Sequence, residues 1–443
     1  MAVKPKAGQK AEQKPDPKTP DLKSPQLAVR NAALQLITAT LEEGEMLDER
    51  ALPKTLHGAD RARAMTLAKQ VMRWIGSADQ MIDKFANTPP REDVRMILRI
   101  GVVELMVMEE AAFGVVDSLV SLAHAGQHTT LASGFINAIL RKVAKEGAPI
   151  WAKLNHARHS ATEDGWRRMK TDWGKAGGLR ILKAQLDDAP LDLTVKSDAA
   201  DWATRLGGAV TPTGSVRLTR PGAVTSLEGY ETGEWWVQDA AAALPARMAQ
   251  PANGKVLDLC AAPGGKTMQL AAAGWDVTAL DSSVPRMRRV EANLKRTGLT
   301  ARLVTADALT WAEDTFDLVL LDAPCSATGT VRRHPELPSI RGEAEIATLS
   351  ALQKKLLPAA WARVAQGGTL IYCVCSMTKT EGEDQAAAFL SATPDATHVP
   401  LRSDEFGDPD LVTEEGDLRT KPSLWPEIGG MDGFFAFRAQ RSA

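Results

Sequence analysis

The 443-residue chain is long enough for two or three domains at ~150 residues each. Its 44% hydrophobic and 24% charged content is that of a soluble globular protein, and no apolar run reaches the 18 or more residues of a membrane span. A net charge of -2 and a pI near 6.4 give phosphate no global attraction, so a nucleic-acid partner has to be met by local basic patches.

Residues 1–24 carry six lysines against three acids and almost no large apolar side chain, which predicts a disordered basic tail. Met1 to Lys23 lacks the apolar core of a secretory signal. The four cysteines have no paired spacing, which argues against a disulfide framework and a structural zinc site; a cytoplasmic protein without metal is expected. Over 25–148 apolar residues recur at helical spacing (Leu34, Leu36, Ile37; Met65, Leu67, Val71, Met72; Ile97, Ile100, Val103), predicting an all-helical domain. Over 149–230 the texture changes to tryptophans among charges, followed by strand patterns at Leu191–Lys196 and from Ser215, hence a small α+β module.

From 231 to 443 strands and helices alternate. Strands are expected at Val256–Leu259, Val277–Asp281, Arg302–Thr305, Phe316–Asp322 and Thr369–Cys373, helices at Val284–Arg296 and Glu343–Ala365, and a late edge strand at Phe434–Arg438. This is the βαβα pattern of a Rossmann-like α/β domain with a doubly wound, mostly parallel sheet. Ligands of such sheets bind beyond the carboxyl ends of the strands, at the switch point of strand order. Asp258-Leu-Cys-Ala-Ala-Pro-Gly-Gly-Lys-Thr follows the first strand, and Gly264 and Gly265 permit a tight turn with close backbone approach to a ligand. Asp281, 23 residues past Asp258, is placed to accept hydrogen bonds from ribose hydroxyls, and Asp307 to meet an adenine amino group. The loop is neither Gly-x-Gly-x-x-Gly nor a Walker loop, which disfavours a dinucleotide and a nucleoside triphosphate.

Two cysteines follow the next strands, Cys325 in Asp322-Ala-Pro-Cys-Ser and Cys375 in Tyr372-Cys-Val-Cys-Ser. A thiolate can add to carbon 6 of a pyrimidine and make carbon 5 nucleophilic enough to attack an activated methyl. Asp322 is the candidate to stabilise the adduct at ring nitrogen 3, and a second thiol or a water would remove the carbon 5 proton. Cys260 and Cys373 read as small side chains packed in or beside the sheet.

These motifs, with Cys375-Ser, Glu381-Gly-Glu, Gln238-Asp239-Ala and Met431-Asp-Gly-Phe-Phe, resemble the RNA cytosine-5 methyltransferases of the Fmu/Sun group, which use S-adenosylmethionine. Asp60-Arg-Ala-Arg-Ala, Leu98-Arg-Ile-Gly and Phe135-Ile-Asn-Ala-Ile-Leu-Arg are similar to the RNA-binding NusB-like domain of the bacterial members. The resemblance covers nearly everything after residue 25 and implies small-subunit (16S) ribosomal RNA as substrate. It implies Cys375 as nucleophile, Cys325 in product release, Asp322 and Pro324 holding the target base, and Lys266 in the catalytic pocket. It further implies a cofactor shell of Asp258, Cys260, Ala261, Ala262, Pro263, Gly264, Gly265, Lys266, Asp281, Arg286, Asp307 and Asp322. DNA cytosine-5 methyltransferases use the cysteine of the Pro-Cys motif, here Cys325, and spacing alone does not choose between the two. Ala327 stands where the group usually has glycine.

Arg332 and Arg333 are expected to grip phosphates beside a flipped base, and Arg141, Lys142, Arg167, Arg168 and Lys170 are further candidates for RNA contact. The rival readings are a noncatalytic RNA-binding assembly factor, a methyltransferase acting on transfer RNA, and a DNA cytosine methyltransferase. The intact cofactor loop and cysteine pair count against the first. The helical domain and the lack of an obvious target-reading insertion count against the last.

Overall fold

The structure is a computed structural model that describes residues 24–219, 222–249, 254–402 and 404–443. The expected basic tail lies outside the described residues apart from Ser24. The chain divides into two compact units, up to Asn155 and from His156 to Ala443.

The first unit is helical: α1 Pro25–Glu43, α2 Gly58–Phe85, α3 Glu92–Met106, α4 Ala112–Ala125, α5 Ser133–Glu146 and the short α6 Ala148–Trp151. Pro25 opens α1 at a position where its missing N–H costs nothing, and Gly44, at φ 72°, closes it. The periodic apolar residues converge on one core that includes Ile37, Leu67, Val71, Ile97, Ile100, Leu119, Ile136 and Leu140. Gly101 lets α3 meet α5: a Cβ there would lie 2.5 Å from Leu140 Cδ2. Arg30 is buried beside Glu104 at 2.8 Å, a charge pair inside the bundle.

The second unit begins with α7 His156–His159 and α8 Glu163–Ala184, whose helix breaks at Gly174, with φ 67° and ψ 166°. After β1 Leu191–Val195 come α9 Ala199–Leu206, β2 Ala209–Val210, β3 Val216–Leu218 and β4 Trp235–Val237. These strands form an antiparallel sheet in the order β2-β3-β1-β4 over a core of Leu193, Trp202, Val216, Leu218 and Trp235. The small sheet therefore runs past the expected boundary at residue 230, because β4 completes it. Buried Arg217 binds it to the rest of the unit, pairing with Asp192 at 2.7 Å and donating to the carbonyls of Ile428 and Gly430.

Then follow α10 Ala240–Arg247, β5 Lys255–Leu259, α11 Gly265–Ala272, β6 Asp276–Asp281, α12 Val284–Thr297, β7 Arg302–Thr305 and β8 Phe316–Asp322. The chain continues through α13 Leu337–Ile340, α14 Glu343–Trp361, β9 Val364–Val374, α15 Glu383–Ala392, β10 Ala396–His398, β11 Leu418–Arg419 and β12 Phe435–Arg441. The large sheet has the order β10-β12-β9-β8-β5-β6-β7, with β11 alongside β12. Strands β9, β8, β5, β6 and β7 are parallel; the central β5 and β8 are buried on both faces, as Val256, Leu257, Leu320 and Leu321 show, while β7 at the edge is partly exposed. Helix α14 ends at Trp361 because Val364 already enters β9, so the expected helix to Ala365 was too long. Strand β12 is not an edge strand: β9 pairs one side of it, β10 and β11 the other. The chain leaves β5 towards β6 and β7 and returns to β8 on the other side, so the switch point lies between the carboxyl ends of β5 and β8.

Candidate active site

Strand β5 carries Asp258 fully buried, and Thr267 in α11 donates its hydroxyl to Asp258 Oδ2 at 2.6 Å. Asp258 Oδ1 is buried with no partner among the described residues, and burial pushes this carboxyl up to about 7. Beyond the strand the backbone turns through Cys260, at φ 61°, and Gly264, at φ 101°. Gly264 is required twice: by its left-handed conformation, and because a Cβ would approach Val290 Cγ1 at 3.2 Å. Asp281 ends β6 almost fully buried, accepting from the amides of Ser283 at 2.9 Å and Ala262 at 3.3 Å. Arg286 donates to Ala262 O at 2.6 Å and lies 3.5 Å from Asp281, so the first two strand ends are tied together. Asp307 is exposed after β7 and caps its own turn through Leu309 N at 2.9 Å. The three acids thus line the carboxyl edge of adjacent strands. An orphaned buried acceptor beside an open glycine turn fits a ligand that brings hydrogen-bond donors.

The two thiols meet on the other side of the switch point. Parallel pairing sets Asp322 of β8 opposite Cys373 of β9, and Cys325 and Cys375 lie in the loops just beyond. Their sulfurs are 3.4 Å apart. Hydrogen bonding to Cys375, with burial and the nearby charge of Glu381, pushes the Cys325 thiol well up. Cys373 is buried, as expected of a packing residue, but its sulfur also lies 3.4 Å from Asp322 Oδ1. Lys266 Nζ pairs with Asp322 Oδ2 at 2.8 Å and sits 5.1 Å from the Phe434 ring centroid. Burial opposes the charge on Lys266, but the carboxylate of Asp322 outweighs it, so the ammonium titrates above its usual range. One third of the Asp322 side chain stays accessible.

Both loops hang on a residue to which the motifs assigned no role. Glu381 is fully buried and accepts from Ser326 N at 2.9 Å, Ser376 Oγ at 2.6 Å, Thr378 Oγ1 at 3.1 Å and Gln353 Nε2 at 3.2 Å, as well as from Ser326 Oγ. Gln353 also holds the carbonyl of Pro324 at 2.8 Å. The serine after each cysteine was the available signal: each is a tether to one carboxylate. Gly329 N donates to Cys375 O at 3.0 Å, and a Cβ on Gly329 would meet Gly433 O at 1.9 Å, so the loops interlock through a glycine. Ala327 sits at φ 56°, in the left-handed region that favours glycine.

Arg332 and Arg333 are not placed to grip RNA. Arg332 is buried, 3.3 Å from Asp432 and 3.9 Å from Asp239, and donates to Gly429 O. Arg333, mostly covered, pairs with the same two acids. Two charges that look free in sequence are consumed by the aspartates of Gln238-Asp239 and Met431-Asp432, which also makes Asp239 the N-cap of α10. Arg168 is likewise paired with Glu343, and Arg167 with Asp164 at 2.8 Å.

The family described as 16S rRNA methyltransferase RsmB/F matches residues 246–440, and the NusB family matches residues 27–145. Ribosomal RNA small subunit methyltransferase B of Vibrio vulnificus is 31% identical, over 87% of this chain and 96% of that protein. The Erwinia tasmaniensis protein of the same name is 32% identical, over 92% and 97%. The solved structure of PH0851 superposes with a TM-score of 0.74 at 23% identity, covering 95% of this chain and all of that one. A methyltransferase homolog from Pyrococcus horikoshii gives 0.53 at 27% identity, over 62% and 93%. Matched at this identity along nearly the whole of each relative, the chain belongs to the ribosomal RNA small subunit methyltransferase B family, within the RsmB/F methyltransferases.

Proposed function

We propose that this protein transfers a methyl group from S-adenosylmethionine to carbon 5 of a cytosine in small-subunit (16S) ribosomal RNA, through a covalent adduct on Cys375. The observation that carries the reading is the pair of sulfurs 3.4 Å apart, with the Lys266–Asp322 pair beside them at the switch point. The relatives' names supply the substrate class. No helix among the described residues is long and apolar enough to cross a membrane.

S-adenosylmethionine supplies an activated methyl. Asp258 Oδ1, Asp281 and Asp307 would hold it, with the Cys260–Lys266 turn against it and Arg286 bracing that turn. Cys375 Sγ, as thiolate, adds to carbon 6 of the cytosine, and the ring carries the displaced charge towards nitrogen 3. The Lys266–Asp322 pair offers a cation and an acceptor at that edge of the ring, with Pro324 alongside. Carbon 5 would then take the activated methyl as that methyl's bond to the cofactor sulfur breaks; the carbon 5 proton would pass to Cys325 Sγ as thiolate, the carbon–sulfur bond would break with its electron pair returning to Cys375, and the methylated base would leave.

The test is labelled methyl transfer to unmodified small-subunit ribosomal RNA with nucleoside mass analysis. Cys375→Ala abolishes 5-methylcytosine formation, and Cys325→Ala slows turnover by ~10²–10⁴-fold while accumulating an RNA adduct that survives a denaturing gel. An adduct with Cys375→Ala and none with Cys325→Ala would reverse the two roles. Transfer to transfer RNA alone would keep the chemistry and discard the substrate.

A further inference from the structure

A cavity borders both thiol loops with neither thiol in its lining. Its volume is about 250 Å³, and it lies within the 156–443 unit. Thr328 of the Cys325 loop and Met377 of the Cys375 loop line a wall of it, with Met169 and Asp172 of α8, Arg341 just after α13 and Ile346 of α14 also in the lining. We propose that this cavity receives a nucleobase next to the target cytosine, so that the enzyme reads its RNA one nucleotide away from the reacting ring. The proposal rests on the function proposed above and extends it to sequence selection.

Size is the first argument. The cavity is smaller than the ~300–1,000 Å³ of drug-sized ligand sites and suits a single ring system. Wall chemistry is the second. Met169, Ile346 and Met377 offer apolar surface to the faces of a ring. Arg341, whose guanidinium also pairs with Glu345, keeps a buried Nε without a hydrogen-bond partner among the described residues. Asp172, whose carboxylate accepts from Lys379 N at 3.1 Å, supplies an acceptor in the same lining. Apolar faces with a donor and an acceptor at the rim are what recognition of an unstacked base requires. Reach is the third. Thr328 is three residues from Cys325 and Met377 two from Cys375, so each wall residue's Cα lies within ~11 Å of its cysteine's Cα along the chain.

The wall is also braced. Gln185 Nε2 donates to Thr328 O and Trp173 Nε1 to Met377 O, both at 2.9 Å, so α8 fixes each thiol loop by its backbone. A base seated here bears on the loops that present the nucleophile.

Gly342 lines the cavity at φ -88°, and a Cβ there meets nothing within 4 Å, so Gly342→Leu fills space without straining the backbone. The substrate is an RNA oligonucleotide containing the methylated cytosine, either intact or abasic at one neighbouring position. On intact RNA, Gly342→Leu raises KM roughly tenfold, with kcat and S-adenosylmethionine affinity unchanged. An abasic neighbour costs the wild type the same factor and the variant nothing more. Arg341→Gln, should Gly342→Leu fail to bind the cofactor, lowers discrimination between bases at that neighbour. Indifference of the wild type to both abasic positions, or a penalty for Gly342→Leu that persists on abasic RNA, overturns the cavity's role alone. Absence of methyl transfer by the wild type to any RNA overturns the proposed function, and this inference with it.

Discussion

At the scale of single residues, burial decides which acids can act. Asp258 is fully buried with one oxygen unpartnered among the described residues, and burial raises its folded-state pKa to about 7. A carboxyl with a raised pKa favours folding fully below its unfolded value and loses that contribution as pH rises through the folded value. Stability of the ligand-free protein should therefore fall between about pH 4 and pH 7 relative to Asp258→Asn, as read by urea unfolding at each pH. Donors of a bound ligand favour the ionised form, so S-adenosylmethionine affinity should rise over the same window, with proton release visible by calorimetry in two buffers. A pH-independent affinity would falsify the assignment of Asp258 to the cofactor. Ala327, at φ 56°, makes the opposite kind of prediction. Ala327→Gly relieves a left-handed alanine costing roughly 1–2 kcal/mol, against the ~0.4–1 kcal/mol that glycine adds to unfolded-chain entropy. Denaturant melts should show a gain of up to ~1 kcal/mol, and a loss would mean that the methyl group packs usefully.

At the scale of elements, register and tethers place the thiols. Parallel pairing of Asp322 with Cys373 aligns the ends of β8 and β9, and a one-residue slip would turn every alternate side chain to the other face. Glu381 then holds both loops by serines that directly follow the cysteines. Glu381→Gln puts an amide donor among hydroxyl and amide donors, leaving buried groups without acceptors. We expect a loss of ~2–3 kcal/mol in stability and a fall in kcat larger than any change in S-adenosylmethionine affinity, because the cofactor turn lies on other strands. Unchanged kcat in a folded Glu381→Gln protein would show that the loops keep their positions unaided.

At the scale of the molecule, charge is spent inside rather than on the surface. Arg332 and Arg333 tie their own segment to two others distant in sequence, around Asp239 and from Gly429 to Asp432, in one buried cluster. Removing one member leaves uncompensated buried charge, so Asp432→Ala should destabilise by ~3–5 kcal/mol. Had Arg333 been a phosphate contact, Arg333→Gln would lower the salt dependence of RNA binding; the structure predicts an unchanged slope and a lower melting temperature. Each of the two compact units has its own core, and all cofactor-turn and thiol residues lie in the second. The fragment 156–443 should fold alone and bind S-adenosylmethionine as the full chain does, as calorimetry would show.

Local rules were enough to read much of this protein from its residues. Strand β7 at Arg302–Thr305 and strand β8 at Phe316–Asp322 have the bounds that their apolar patterning predicts, and the turn after β5 is written in its glycines. The two cysteines after consecutive strands are equally legible, because a parallel sheet sends successive strand ends to one edge. What stayed hidden was long-range pairing. Nothing near Arg332 announces Asp239 or Asp432, about a hundred residues away on either side, and nothing near Trp235 shows that it completes the smaller sheet. Glu381 was visible only as part of a motif, since its five donors come from three separate segments. Backbone periodicity and turn chemistry act over a few residues and can be read from the chain alone. The partner that neutralises a buried charge is chosen by tertiary packing, and only the folded structure decides which side chains remain to meet a substrate.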